Sequence, residues 1–167
     1  YSQFGSKFIG HPNRHVPGVE MNTGALGHGL SIGVGMALAG KMDRKDYRVF
    51  VLMGDGELAE GSVWEAAMAA SFYHLDNLVG IVDRNGLQIS GKTEDVMAIE
   101  PLEDKWKSFG WNVSVVDGHD IPALCEALSE ERKVQGKPNL IIAKTVKGKG
   151  ISFMENNPKW HHGVMSP

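Results

Sequence analysis

The sequence has few of the features that mark membrane, nucleic-acid-binding or disulfide-rich proteins. Its single cysteine, Cys125, cannot form a disulfide within the chain and is typical of a reducing compartment, so the cytoplasm is the expected location. No apolar run approaches the roughly 20 residues that a membrane-spanning helix needs. The net charge is −3 and no basic stripe is present, which gives no indication of nucleic-acid binding.

The rest of the composition is typical of a folded protein. Apolar residues make up 42% and charged residues 22% of the 167 residues, so disorder is not expected. This length suits one domain with a substantial core, and residues 1–167 are expected to form a single domain. Residues 1–7 read like the interior of a longer sequence. The chain is therefore expected to be a fragment or a subunit of a larger protein.

Predicted strands alternate with predicted helices along most of the chain. Residues 1–23 and 86–100 read as loops, and Ser62 and Asp120 are expected to cap the helices that follow them. The strands are expected at 48–53, 78–83, 111–116 and 139–144, and the helices at 30–39, 62–74, 101–109 and 121–134. Because two strands are nearly continuous apolar runs, the pattern predicts an α/β fold with three αβα layers and a mainly parallel sheet.

Polar residues stand where two of these strands end. Gly54-Asp55-Gly56 follows the first strand, and Asn85 follows the second. Magnesium prefers oxygen ligands from one or two carboxylates, with phosphate oxygens completing its coordination. Glycines also let backbone amides approach an anion closely. The pattern therefore predicts a metal–diphosphate site, although Gly-Asp-Gly alone is common in turns.

The spacing of these residues resembles the signature of thiamine diphosphate (ThDP) enzymes. Gly54-Asp55-Gly56 is separated from Asn85 by 28 residues, and the stretch from residue 54 to residue 67 is similar to transketolases. The resemblance implies the thiamine diphosphate-binding fold, with Gly54, Asp55, Gly56 and Asn85 at the cofactor. It also implies that Asp55, Asn85 and the backbone carbonyl of Leu87 hold Mg²⁺ or Ca²⁺.

A glycine-rich turn precedes the first predicted helix. Gly24-Ala25-Leu26-Gly27-His28-Gly29 has the composition of an anion-binding turn, and it is also consistent with close packing of a glycine-rich helix. It resembles a transketolase stretch whose backbone lies against the cofactor. That resemblance implies cofactor contacts for Gly24, Leu26 and Gly27.

The resemblance also suggests roles for four separate side chains, each of which has an ordinary alternative. His11, in Gly-His-Pro, would contact the substrate unless it is a surface histidine, and His162 would contact the diphosphate. Glu60 would join a proton relay across a dimer interface, which would need a buried carboxylate; otherwise it is a charge at a helix N-terminus. Ile89 would pack on the thiazolium ring or simply in the core.

Besides Asp55 and Asn85, a third candidate for ligand binding at a strand end is the loop Lys147-Gly148-Lys149-Gly150, which follows the last predicted strand. Ligands of parallel α/β sheets gather at the carboxyl ends of the strands. Because Asp55, Asn85 and this loop all follow strands, the sequence predicts that they meet at one edge of the sheet.

The function implied by the resemblance is transketolase-type transfer of a two-carbon ketol unit from a ketose or its phosphate to an aldose or its phosphate, within carbohydrate metabolism. A deoxyxylulose-phosphate synthase relative is an alternative, although those enzymes usually carry Gly-Gly where this chain has Glu60-Gly61. A non-catalytic paralogue that binds cofactor or protein is another. Activity is expected to need a partner, a pyrimidine-binding half or subunit, in a homo-oligomer or heterotetramer.

Overall fold

Four parallel strands form the centre of the fold. The protein is described here by a computed structural model that covers residues 3–130 and 134–162. In chain order the elements are α1 (His28–Met42), β1 (Val49–Gly54), a 3₁₀ turn (Gly56–Ala59), α2 (Gly61–Phe72), β2 (Leu78–Arg84), β3 (Leu87–Gln88), β4 (Gly91–Lys92), α3 (Thr93–Val96), α4 (Leu102–Ser108), β5 (Asn112–Asp117), α5 (Ile121–Glu130), β6 (Asn139–Lys144) and a 3₁₀ turn (Pro158–Trp160).

The main sheet has the strand order β1-β2-β6-β5, and all its pairs are parallel. Its register places Val51 beside Gly80 and Gly80 beside Leu140. The central strand β6 is buried from Asn139 to Ala143, which explains its continuous apolar sequence. The predicted α/β fold with a parallel sheet is confirmed, and the carboxyl ends of all four strands lie at one edge.

Helices lie on both faces of this sheet, although Phe50 and Leu52 of β1 remain 46% and 72% exposed. On one face, α1, α2 and α4 enclose a core that includes Leu30, Met53 and Trp106. The Trp106 ring lies 5.2 Å from that of Trp64 and 4.9 Å from that of Trp111, centroid to centroid, so aromatic contacts join α2, α4 and the start of β5. On the other face, α5 packs against β5 and β6. The arrangement is the predicted αβα sandwich.

Helix α1 lies close to the sheet because of one of its glycines. A Cβ atom on Gly33 would stand 2.5 Å from Cγ2 of Val51, whereas a Cβ atom on Gly35 would have nothing within 4 Å. The glycine-rich sequence of α1 therefore serves close packing at Gly33. None of the helices in the described ranges is long and apolar enough to span a membrane.

Two local predictions were wrong. The region 86–100 is not all loop, because β3 and β4 form a short antiparallel hairpin and α3 follows directly. Helix α2 begins one residue before Ser62, and Glu60 is its N-cap residue. The Ser62 hydroxyl instead donates to the carbonyl of Gly27 at 2.9 Å.

The predicted cap of α5 is confirmed. The Asp120 carboxylate accepts a hydrogen bond from the backbone amide of Ala123 at 3.1 Å. This helix was predicted to end near residue 134. Residues 131–133 lie outside the described ranges, and the helix is described as far as Glu130.

Candidate active site

Asp55 lies at the carboxyl end of β1 and is almost fully buried, with 1% of its surface exposed. Its Oδ1 accepts a hydrogen bond from the amide of Gly56 at 2.8 Å. Its Oδ2 accepts from the amide of Gly86 at 2.6 Å and from Nη1 of Arg84 at 2.9 Å. A buried carboxylate is stable only when it is paired and hydrogen-bonded, and these three donors meet that requirement.

The segment after β2 (residues 85–88, the Asn85 turn) is in direct contact with the segment at the end of β1 (residues 54–56, the Asp55 turn). The bond from the Gly86 amide to Asp55 joins them, and a Cβ atom on Gly56 would stand 2.8 Å from Cβ of Gln88. Within the second turn, Oδ1 of Asn85 accepts from the amide of Leu87 at 3.0 Å. The structure therefore brings together the segments that carry the three predicted metal ligands.

The oxygen atoms of these two turns are suitable ligands for magnesium. Oδ1 of Asp55 and Oδ1 of Asn85 each accept one described hydrogen bond and keep a lone pair for a further partner. Within residues 3–130 and 134–162, no group of three or more His, Cys, Asp or Glu side chains could hold a metal ion. A single carboxylate with neutral oxygens fits a cation whose remaining ligands are phosphate oxygens and water.

The glycine-rich turn is fixed to the same edge through Gly27, which is buried and has a φ of 80°. Its amide donates to Oε1 of Glu57 at 2.9 Å, and its carbonyl accepts from Ser62. Oε2 of Glu57 accepts from the amide of Gly54 at 3.2 Å. The Glu57 carboxylate thus bridges the glycine-rich turn and the Asp55 turn. Leu26, which precedes Gly27 in the glycine-rich turn, is 61% exposed.

His11 lies against the beginning of this turn. A Cβ atom on Gly24 would be 3.1 Å from two atoms of the His11 imidazole. The neighbouring residues of the two segments are tied as well, because the Thr23 hydroxyl donates to the carbonyl of Pro12 at 2.7 Å. The imidazole is exposed and adjoins the predicted cofactor turn, so the structure places His11 with the site.

Glu60 and Ile89 lie near the site but in surroundings that differ from those expected. The Glu60 side chain is exposed rather than buried, and its Cβ would be 2.6 Å from a Cβ atom on Gly27. It is the N-cap residue of α2 without a side-chain capping bond. Ile89 is 64% exposed, which contradicts the core-packing interpretation and leaves its apolar side chain available to a ligand.

The described contacts do not bring His162 to the Asp55 turn. Its exposed ring lies 6.1 Å from that of His161, centroid to centroid. Burial lowers the pKa of His161, and the nearby charges of Lys147 and His162 lower it further. Lys147 is the first residue of the predicted loop Lys147-Gly148-Lys149-Gly150, which follows β6. Val146, directly before this loop, donates its amide hydrogen to Nε2 of His119 at 2.8 Å.

The residues just before that loop reach the strand edge. The amide of Thr145 donates to the carbonyl of Arg84 at 3.2 Å, and its hydroxyl donates to Oδ1 of Asp83. The segment after β6 is therefore adjacent to the turn that carries Asn85. The strand ends therefore meet as predicted, but the contacts described come from Thr145 and not from the loop Lys147-Gly148-Lys149-Gly150.

Sequence reasoning missed Arg84 and Glu57. Burial opposes the charged form of Arg84, but hydrogen bonds to Asp55 and Glu100 outweigh it and raise its pKa. The pKa of Glu100 is lowered, first by the hydrogen bond from the Leu102 amide and then by Arg84. The one available signal was that a buried strand-end carboxylate needs a cationic or amide partner nearby.

The family whose description is "Transketolase, thiamine diphosphate binding domain" matches residues 1–166. The chain belongs to the transketolase family. This agrees with the resemblance read from the Gly54–Ala67 stretch and from Asn85. It also agrees with the parallel sheet whose carboxyl edge holds the candidate site.

Individual members of the transketolase family show the same similarity. An apulose-4-phosphate transketolase subunit from Phocaeicola vulgatus is 56% identical over 162 residues, which are 97% of this chain and 58% of that protein. The subunit of the same name from Actinobacillus succinogenes is 50% identical and matches 98% of this chain and 59% of its own length. The chain therefore spans about three fifths of these relatives.

A solved structure supports the same fold. Transketolase from Campylobacter jejuni superimposes with a TM-score of 0.87 at 36% identity, over 95% of this chain and 26% of the other. The sheet and its strand-end turns are thus those of a transketolase-type thiamine diphosphate-binding domain.

Proposed function

We propose that this chain binds Mg²⁺ and the diphosphate of thiamine diphosphate for the transfer of a two-carbon ketol unit from a ketose phosphate to an aldose phosphate. The observation that carries the proposal is the bond from the Gly86 amide to the Asp55 carboxylate. It joins the Gly-Asp-Gly turn to the turn of Asn85 and Leu87. Family membership supplies the reaction class.

The proposed metal ligands are Asp55, Asn85 and the carbonyl of Leu87. When bound, thiamine diphosphate supplies the electron sink for carbon–carbon cleavage, while the protein binds and orients it. In this domain the buried Asp55 turn would fix the metal and, through it, the diphosphate. The residues proposed to lie along the cofactor are Gly24, Leu26, Gly27, Gly54 and Gly56, with Ile89 and His162 as further contacts.

Two side chains are proposed to act on the substrate side. The exposed imidazole of His11 adjoins Gly24 and is available to hydrogen-bond a sugar hydroxyl. The exposed carboxylate of Glu60 stands beside Gly27 at the N-terminus of α2 and would serve a proton relay with a facing subunit. Its exposure in this chain is consistent with a residue that a partner covers.

The proposed assembly is a complex with a pyrimidine-binding half or a second polypeptide that carries it, as a homo-oligomer or heterotetramer in the cytoplasm. Two relatives are named as transketolase subunits, which supports a separate partner. Their names also give a substrate to test, apulose 4-phosphate, beside pentose and hexose phosphates of the pentose phosphate pathway. Since the chain spans three fifths of those relatives, these partners and substrates are part of the proposal.

The test is calorimetric titration of thiamine diphosphate, with and without Mg²⁺, into the assembled protein that contains this chain. Asp55→Asn is expected to weaken Mg²⁺-dependent binding at least about a hundredfold, because it removes the only carboxylate of the proposed ligand set. Asp104→Asn, on the exposed side of α4, is the control and should bind like the unaltered protein. Equal affinity of the Asp55 variant, with unaltered circular dichroism, would contradict the ligand role.

A further inference from the structure

Arg84 lies at the centre of a group of acidic side chains beside the proposed metal ligand. Its Nη1 donates to Oδ2 of Asp55 at 2.9 Å and to the hydroxyl of Thr93 at 2.7 Å. Its Nη2 donates to Oε1 of Glu94 at 2.9 Å and to Oε1 of Glu100 at 3.0 Å. Three of these four partners belong to residues 93–100, the segment that leads from the β3–β4 hairpin to α4.

The two oxygens of Asp55 have different surroundings. Oδ2 accepts from both Arg84 and the Gly86 amide, which uses its two lone-pair positions. Oδ1 accepts only from the Gly56 amide among the described bonds, so one lone pair remains on that oxygen. Arg84 and the Gly86 amide together saturate Oδ2, and Arg84 leaves Oδ1 free for a cation.

We propose that Arg84 is a positioning residue for the metal site, which holds the Asp55 carboxylate with Oδ1 available to a divalent cation and ties it to residues 93–100. This inference rests on the proposed function, because it takes Asp55 as a ligand of Mg²⁺ in the presence of thiamine diphosphate. Nothing in the role requires Arg84 to touch cofactor or substrate.

The charges around Arg84 favour a cation nearby. One guanidinium faces the carboxylates of Asp55, Glu94 and Glu100, and Lys105 adds a positive charge near Glu100, so the group has one negative charge in excess. The side chains of Glu94 and Glu100 are 38% and 52% exposed, and solvent screens much of their charge. The Asp55 side chain is only 1% exposed, so the loss of Arg84 should act on the metal site mainly through Asp55.

Arginine is better suited than lysine to this arrangement. Its planar guanidinium presents donors in a fixed fork, and here Nε, Nη1 and Nη2 all donate to side-chain oxygens. A lysine at the same position could restore the charge opposite Asp55 but not the simultaneous bonds to Glu94 and Glu100. Comparing Arg84→Lys with Arg84→Gln therefore distinguishes the effect of the positive charge from the effect of the hydrogen bonds that position Asp55.

The experiment measures Mn²⁺ affinity, as a paramagnetic substitute for Mg²⁺, by electron paramagnetic resonance of free Mn²⁺. The assembled protein that contains this chain is titrated at saturating thiamine diphosphate and well below its unfolding temperature. Arg84→Gln is expected to bind Mn²⁺ about 10- to 100-fold more weakly, the usual effect of losing a partner that orients a metal ligand. Arg84→Lys should recover part of that loss.

Two further variants complete the set. Glu100→Gln keeps the Arg84–Asp55 pair but loosens the connection to residues 93–100, so its affinity should fall by about three- to tenfold. Lys107→Gln removes an exposed ion pair with Glu103 on α4 and should bind Mn²⁺ like the unaltered protein. A residue that served folding alone would lower the unfolding temperature without changing the affinity of the folded protein.

An affinity of Arg84→Gln within about twofold of the unaltered protein would overturn the inference, and so would tighter binding, which would make Arg84 a competitor of the metal. If that variant does not fold, wild-type affinity in both Arg84→Lys and Glu100→Gln has the same consequence. Failure of the unaltered protein to bind Mn²⁺ with thiamine diphosphate would instead refute the proposed function, and this inference with it. The two failures are therefore distinguishable.

Discussion

At the scale of single residues, Glu57 shows how one side chain holds the candidate site together. Its two carboxylate oxygens accept the amides of Gly27 and Gly54, which stand in different turns. Gly27 and Gly54 were both predicted to contact the cofactor, and in this structure an internal carboxylate accepts hydrogen bonds from their amides. Glu57 therefore fixes the spacing between the glycine-rich turn and the Asp55 turn.

Replacing Glu57 by glutamine should destabilise the protein. Glutamine has one acceptor oxygen where the carboxylate has two, so one of the two amides loses its partner. Leaving the buried Gly27 amide unsatisfied costs about 1–3 kcal/mol, whereas water can bond to the exposed Gly54 amide at a smaller cost. Urea unfolding followed by tryptophan fluorescence should show this loss for Glu57→Gln and little change for Glu65→Gln on the exposed side of α2. Equal unfolding midpoints for the two variants would contradict the bridging role.

Two glycines near one another in sequence should respond to alanine in opposite ways. At Gly27 a Cβ atom would stand 2.6 Å from Glu60 and from Ser62, and φ is 80°, so Gly27→Ala should cost roughly 2–4 kcal/mol from the left-handed backbone and the overlap together. At Gly35, in α1, the Cβ would meet nothing, and alanine should stabilise by about 0.5–1 kcal/mol through helix propensity.

Thermal unfolding of both glycine variants, measured side by side, provides the check. Gly27→Ala is also expected to weaken thiamine diphosphate binding, whereas Gly35→Ala is not. A stable Gly27→Ala protein with normal cofactor affinity would show that the turn does not need its observed conformation. Destabilisation by Gly35→Ala would indicate that another surface covers that part of α1.

The residues that sequence reasoning located are those whose position along a strand determines where they lie. Asp55 and Asn85 each follow a strand of the main sheet, and parallel strands must end at the same edge. The roles of Arg84 and Glu57 were not predicted, because the partners of a long side chain are known only once the folded structure shows which groups lie near it. The exposure of Glu60 and Ile89 likewise depended on packing that their sequence neighbours do not specify.

At the scale of elements, the strong periodic patterns were read correctly and the short segments were not. The strands of the main sheet appear within about one residue of their predicted bounds, since runs of apolar residues bounded by turns define them. The strands β3 and β4 have two residues each, too few to produce a periodic signal. That hairpin nevertheless positions Gln88 against Gly56, so an element with little signal in the sequence lies next to the candidate site.

Another connection between elements lies at the opposite, amino-terminal edge of the sheet. Asp76, just before β2, pairs through Oδ1 with Lys41 of α1 at 2.7 Å. Its Oδ2 accepts the amide of Gly136, ahead of β6, at 2.8 Å. Burial raises the pKa of Asp76, but the bonds from Lys41 and from the Gly136 amide outweigh it, so the net shift is downward.

The stability contributed by Asp76 should depend on pH in a defined direction. Because its folded pKa is lowered, the contribution is present above the ordinary value of 3.8 and is lost as the pH falls through the lower folded value. Asp76→Asn should cost about 1 kcal/mol at pH 7, allowing for the partial exposure of the pair, and the difference should vanish at low pH.

Urea unfolding of both proteins between about pH 7 and pH 2 measures this difference. Glu103→Gln, which removes an exposed pair on α4, is the matched control and should change stability by only a few tenths of a kcal/mol. A difference for Asp76→Asn that stayed constant down to the lowest pH would show that its charge is not responsible.

At the scale of the whole molecule, the described residues gather the metal and diphosphate end of the proposed cofactor site. The Asp55 turn, the Asn85 turn and the glycine-rich turn meet at one edge, and His11 lies beside them. Several side chains at this edge, including Leu26, Glu60 and Ile89, are exposed. A surface of this kind is consistent with a site that a second subunit completes.

The last prediction follows from that incompleteness. The polypeptide that carries this chain should show no ketol transfer alone, and activity should rise in proportion to added pyrimidine-binding partner until one is present per chain. The physical reason is that the partner is proposed to cover the reactive end of the cofactor and supply the group that activates it. The measurement is product formation from apulose 4-phosphate and from pentose phosphates as the partner is titrated, with Asp55→Asn as the inactive control. Turnover in the complete absence of the partner would contradict the proposal that a separate polypeptide completes the active site.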